Sequence, residues 1–147
     1  MINVLGIGFD YLWLKETDKR GDFKFRQLEY GKNLNSLFRI VYSPKKLNFI
    51  NEQYSKNIYV YYSSSKLKLL FPLDAIKIVR AILKKNNIDV ISAEDPFLGG
   101  ITGIIIKKTY HIPLNIQINH DRIDNIFWLK ERKENYLMNW LAKIAIK

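Results

Sequence analysis

Residues 88–121 read IDVISAEDPFLGGITGIIIKKTYHIPLNIQINHD, and the fold class turns on this stretch. Ile88 to Ser92 is a short apolar and β-branched run, which predicts a buried strand. Glu94-Asp95-Pro96 stops it. Gly99-Gly100 then opens a helix over 99–110, apolar through Ile104, Ile105 and Ile106 and basic at Lys107-Lys108. His111-Ile112-Pro113 makes a turn, and Leu114 to Asn119 reads as a second strand. Strand, helix and strand joined by short turns imply parallel strands with a covering helix.

The same alternation extends outward. Pro72 and Asp74 mark a helix start. Ile76, Val79, Ile82 and Leu83 form its apolar stripe, Lys77, Arg80, Lys84 and Lys85 point away, and Asn86-Asn87 ends it. Strands are predicted at 2–8, 38–43 and 58–62, the second stopped by Pro44. Residues 10–24 read as a loop, and Phe25 to about Leu37 as a helix. Residues 131–147 are predicted helical, with Leu137, Trp140, Leu141 and Ile144 on one face. The expected fold is a single α/β domain over 1–147, a Rossmann-like doubly wound parallel sheet. No internal repeat, low-complexity tract or linker interrupts it.

The 147 residues carry a formal charge of +10, from 24 basic and 14 acidic side chains. A field of that sign attracts nucleotide-linked substrates and acidic lipid. The basic residues come as isolated pairs, and nucleic-acid binding is not expected without a recognisable motif. No apolar run is long enough for a membrane span, and the first residues do not read as a signal peptide. The absence of cysteine excludes disulfides and agrees with a cytoplasmic setting.

Ligands of an open parallel sheet bind beyond the carboxyl ends of the strands, and three segments lie there. Gly6-Ile7-Gly8 ends the first strand. A dinucleotide fingerprint would need a third glycine where Tyr11 stands, so the two glycines serve either tight packing or close approach of a ligand. The following loop mixes Tyr11, Trp13, Lys15, Lys19 and Arg20, a composition suited to an acceptor or an anionic surface. Second, Glu94 and Asp95 precede Gly99, Gly100 and Gly103. The carboxylates can accept hydrogen bonds from sugar hydroxyls, or Asp95 can cap the helix while the glycines pack closely. Third, His120-Asp121 falls at the exit of the last strand, where a histidine oriented by a carboxylate can donate to a phosphate or hydroxyl; a structural histidine is the other reading. His111 sits in a turn at the opposite edge. No metal-ligand spacing is present, so no metal is expected.

DVISAEDPFLGG at 89–100 followed by IPLNIQINHD at 112–121 resembles the N-terminal half of the family-four glycosyltransferases. FRQLEYGKNL at 25–34 is similar to that family's first helix, and RIVYS at 39–43 to its second strand. The resemblance implies a GT-B architecture, in which this domain binds the acceptor and a second domain, absent from these 147 residues, binds a nucleotide sugar. It implies retaining transfer without a metal or other cofactor, to a glycan or lipid-linked acceptor, in cell-surface polysaccharide or glycolipid synthesis at the cytoplasmic face of the membrane. By position, His120 matches the catalytic histidine that approaches the donor. Gly8 would face the diphosphate, and Glu94 and Asp95 would line the acceptor side together with Gly99 and Asp121. The alternative is a non-catalytic acceptor- or partner-binding module of a truncated or split enzyme. On either reading the isolated chain is expected to be inactive.

Overall fold

The computed structural model describes residues 1–9, 22–47, 49–118 and 121–147, and the side chains of 22–24 are outside that description. Among these residues six strands form one sheet: β1 (Asn3–Gly8), β2 (Ser36–Val41), β3 (Glu52–Ser55), β4 (Ile58–Tyr62), β5 (Val90–Ala93) and β6 (Leu114–Ile116). Their spatial order is β3-β4-β2-β1-β5-β6. All neighbours are parallel except β3 and β4, which form an antiparallel pair. The expected strands near 88–92 and 114–119 are thus adjacent and parallel in one sheet.

Among the described residues five α-helices accompany the sheet: α1 (Asp22–Lys32), α2 (Phe71–Leu83), α3 (Leu98–Tyr110), α4 (Ile126–Glu131) and α5 (Glu134–Ala145). On one sheet face Leu5, Ile7, Phe38, Ile40 and Ile91 are buried beneath Phe71, Ala75, Val79 and Ile82 of α2 and Leu98 and Ile106 of α3. The apolar stripe of α2 meets the sheet as its 3.6-residue spacing requires. On the other face Leu37, Val41, Ile58, Val60 and Tyr62 form a second cluster, with Leu28 and Leu34 against it. Gly31 of α1 sits directly over Ile58, whose Cδ1 lies 2.8 Å from where a Cβ would stand.

Several boundaries differ from the sequence reading. The strand expected at 38–43 starts at Ser36, and the helix expected to reach Leu37 ends at Lys32. Asn57 fixes that junction, donating to the carbonyls of Gly31 (2.7 Å) and Leu34 (3.0 Å). The expected helix over 131–147 is α5, which begins at Glu134, and a short helix the sequence reading did not give, α4, precedes it. Asn125 caps α4, accepting from the amides of Phe127 (3.0 Å) and Trp128 (3.2 Å). Arg132 then takes extended backbone and breaks the path. The face of α5 turned inward is the expected one only in part, since Leu141 alone of the expected stripe packs against the core. Asn135, Asn139, Ala142 and Ala145 are buried, whereas Leu137, Trp140 and Ile144 are exposed. Small side chains win because α5 lies against Gly100 of α3, whose virtual Cβ stands 3.1 Å from the Ala145 Cβ. Among the described residues no helix is long and apolar enough to cross a membrane.

Candidate functional site

From β1 the chain crosses through α1 to β2 on one side, and from β4 it crosses through α2 to β5 on the other. The strand order therefore reverses between β1 and β5. A crevice forms at the carboxyl ends of such a pair, because the crossovers leave in opposite directions. Gly8 and Phe9 stand at the end of β1, and Glu94 and Asp95 at the end of β5. The sequence therefore brings Gly8, Glu94, Asp95 and Gly99 to one place.

The floor of the crevice contains a part-buried ion pair. Arg39 in the middle of β2 stands opposite Gly6 of β1 and is only 2% exposed. Its side chain lies across the glycine-lined strip of β1, where a Cβ on Gly6 would meet Arg39 at 3.7 Å. At the far side its Nη2 donates to Glu94 Oε2. A Cβ on Gly8 would overlap that same carboxylate oxygen and approach Arg39 Nη2 to 3.1 Å. Gly8 thus leaves room for a pair linking three strands. A guanidinium removed from water needs such a partner.

Asp95 acts differently. Its Oδ1 accepts from the amides of Phe97 (2.8 Å) and Gly99 (3.2 Å), holding the first turn of α3. Its Oδ2 is buried without a hydrogen-bond partner among the described residues, in the space a Cβ on Gly99 would occupy. Burial pushes the carboxyl above its ordinary value, against the opposing pull of the two amides; neighbouring Glu94 adds to the rise, and Lys68 opposes it. Gly103 likewise closes on the sheet, with Leu114 Cδ1 2.6 Å from its virtual Cβ. Both readings of the 94–103 segment therefore have a place: Glu94 keeps a part-exposed carboxylate at the crevice, while Asp95 and the glycines build the strand–helix junction.

The walls come from three directions. Arg26 and Gln27 of α1 stand on one side, Trp128 of α4 on another, and Lys68 with Phe9 at the mouth. Trp128 stacks obliquely on Phe97, with centroids 5.4 Å apart, and the Arg122 guanidinium lies 6.0 Å from its ring. Asp124 ties the turn ahead of α4 to α5 through reciprocal bonds with Asn139 (2.9 and 3.0 Å) and an ion pair with Lys143 (2.6 Å). Exposed Asp121 also faces the crevice.

No protein-family model matches the chain, and no curated protein matches it. His120 and the Tyr11–Arg20 loop, both singled out in the sequence, lie outside the described residues. His111 is exposed and ends α3 in the left-handed conformation, away from the crevice. Sequence reasoning missed Arg39. The signal was present: a lone arginine between Phe38 and Ile40 in an otherwise apolar central strand must find a buried partner.

Proposed function

We propose that the chain is the acceptor-side domain of a retaining glycosyltransferase with two-domain GT-B architecture. The observation that carries this reading is the meeting of Gly8 and the Glu94–Asp95 turn at the point where the strand order reverses. The six-stranded, mostly parallel sheet is compatible with such a domain. The ordered likeness of 89–100 and 112–121 to the family's N-terminal half supplies the choice among chemistries. Glu94 presents a carboxylate that accepts from sugar hydroxyls, and Trp128 and Phe9 offer flat apolar surfaces against which a sugar ring packs. The donor would be a nucleotide sugar held by a second domain, the acceptor a glycan or lipid-linked saccharide, and the site of action the cytoplasmic face of a membrane. No metal or other cofactor is assigned.

His120 keeps its catalytic role on sequence grounds. In an enzyme assembled with its donor domain, His120→Ala should lower turnover roughly 10²–10³-fold, as loss of a donor aimed at developing negative charge does. The direct test on this chain is an amide-resolved NMR titration with acceptor saccharides and nucleotide sugars. Acceptor saccharides should shift Gly8, Glu94 and Asp95, and Glu94→Gln should weaken them. Binding elsewhere on the domain, or turnover of a nucleotide sugar by the 147-residue chain alone, would overturn the reading.

A further inference from the structure

Two loops leave the carboxyl ends of β2 and β4 side by side. Pro44 bridges Ser65, the Lys45 amide donates to the Ser65 carbonyl (3.1 Å), and the Ser65 amide to the Ser43 carbonyl (2.9 Å). This ties KKL at 45–47 to KLKLL at 66–70. Lys45, Lys46, Lys66 and Lys68 are all exposed, and the first three line one shallow basic depression. No acidic residue occurs in 42–51 or 62–73. Apolar side chains stand out among the lysines: Leu67 is 64% exposed, Leu69 55% and Leu73 60%. Ile50, 82% exposed, lies on the first of the two loops.

From this surface we infer that the 45–47 and 66–73 loops dock the protein on an anionic lipid bilayer. Lysines alone would suit any polyanion. Three leucines held in water beside them gain by entering the interfacial region of a bilayer, and they gain nothing on a phosphate backbone. A bilayer is therefore the occupant that uses both halves of the patch. The patch is continuous with the crevice, since Lys68 and Leu69 line both. Lys68 sits 5.6 Å from the Phe9 ring at the crevice mouth. Docking would thus turn the mouth toward the lipid headgroups. The relevance of that orientation to a lipid-linked acceptor rests on the function proposed above; the docking does not.

The test is co-sedimentation of the whole chain with phosphatidylcholine vesicles, with and without phosphatidylglycerol, at low and physiological salt. Binding should require the anionic lipid and weaken with salt. Replacing Lys45, Lys46, Lys66 and Lys68 by Gln should reduce it at least tenfold, given about fivefold per lysine at an anionic surface. Leu67, Leu69 and Leu73→Ser should reduce it as well, with charge unchanged. The control variant carries Gln at Lys84, Lys85, Lys107 and Lys108, an equal charge loss behind α2 and α3 at the amino end of the sheet, and should bind within about twofold of the parent. Equal loss in patch and control variants would reduce the effect to net charge and overturn the proposal. So would full binding by the leucine variant, or patch-dependent capture of RNA without capture of vesicles. Circular dichroism confirms the fold of each variant. Vesicle docking without acceptor binding would leave this surface standing and remove the transferase reading.

Discussion

The two faces of strands β1, β2 and β5 are built on opposite principles. On the α2–α3 face, Leu5, Ile7, Phe38, Ile40 and Ile91 interlock with helix side chains and no charge is present in the cluster. On the other face the same strands present Gly6, Gly8, Arg39 and Glu94. Volume holds the first face together, and losing methylenes there leaves a cavity. On the second face, beside the apolar cluster around Leu37 and Val41, complementary charge set in space that the glycines leave open takes over at Arg39 and Glu94. Its tolerance of substitution should depend on which partner remains, whereas the first face should respond only to size.

Ile91→Ala should give the largest loss of stability, about 3–4 kcal/mol, because Ile91 is fully buried and the helices close in only partly. Urea denaturation measures it, and a loss below about 1 kcal/mol would contradict a tightly packed face. Glu94→Ala follows at about 3 kcal/mol, since it takes a buried guanidinium's carboxylate away. Replacing Arg39 by Met in the same chain should recover much of that loss, a rescue with no counterpart at Ile91. Gly8→Ala should cost about 2 kcal/mol by crowding the pair, and less once Glu94 is Ala. A double-mutant cycle with no coupling would separate Gly8 from the ion pair.

Asp95 supplies a smaller, pH-dependent contrast. Its carboxyl is held above the ordinary value chiefly by burial, so the folded state favours the proton. The stability this contributes is fully present below the ordinary aspartate range and is lost as pH rises through the raised value. Asp95→Asn keeps an Oδ1 acceptor for the Phe97 and Gly99 amides and removes the titration. Its stability relative to the parent should therefore improve as pH rises from that range to neutrality; a pH-independent difference would break the assignment. Gly6→Ala should be nearly silent, below about 0.5 kcal/mol, because its new methyl meets only ordinary contacts beginning at 3.7 Å.

These contrasts follow what could be read from the sequence. The apolar runs of β1, β2, β4 and β5 and the stripe of α2 were legible because burial on a regular element leaves a period. β3 was not, since Glu52-Gln53-Tyr54-Ser55 is a mostly polar segment without apolar alternation. The inward face of α5 was read only in part: Leu141 packs against the core as expected, but Ala145 meets Gly100 of α3, and Asn135 and Asn139 are buried by bonds to Trp128 and Asp124. Glu94 and Asp95 were visible as carboxylates at a strand end. Their division of labour was not, because the partner of Glu94 lies 55 positions away, while that of Asp95 is the backbone just ahead. Long-range charge pairing leaves no local period.

The outer strands have a consequence for how this protein meets copies of itself. β3 is four residues long, its Glu52 and Gln53 are exposed, and its register shifts between Gln53 and Ser55. At the other border β6 has three residues. A sheet grows by adding a chain along a long, flat row of unpaired amides and carbonyls, and neither border offers one. The mostly apolar β1, β2 and β4 are kept in the interior of the sheet. Among the described residues neither border gives edge-to-edge polymerisation a template, whereas unfolding that exposes β1, β2 or β4 would supply one.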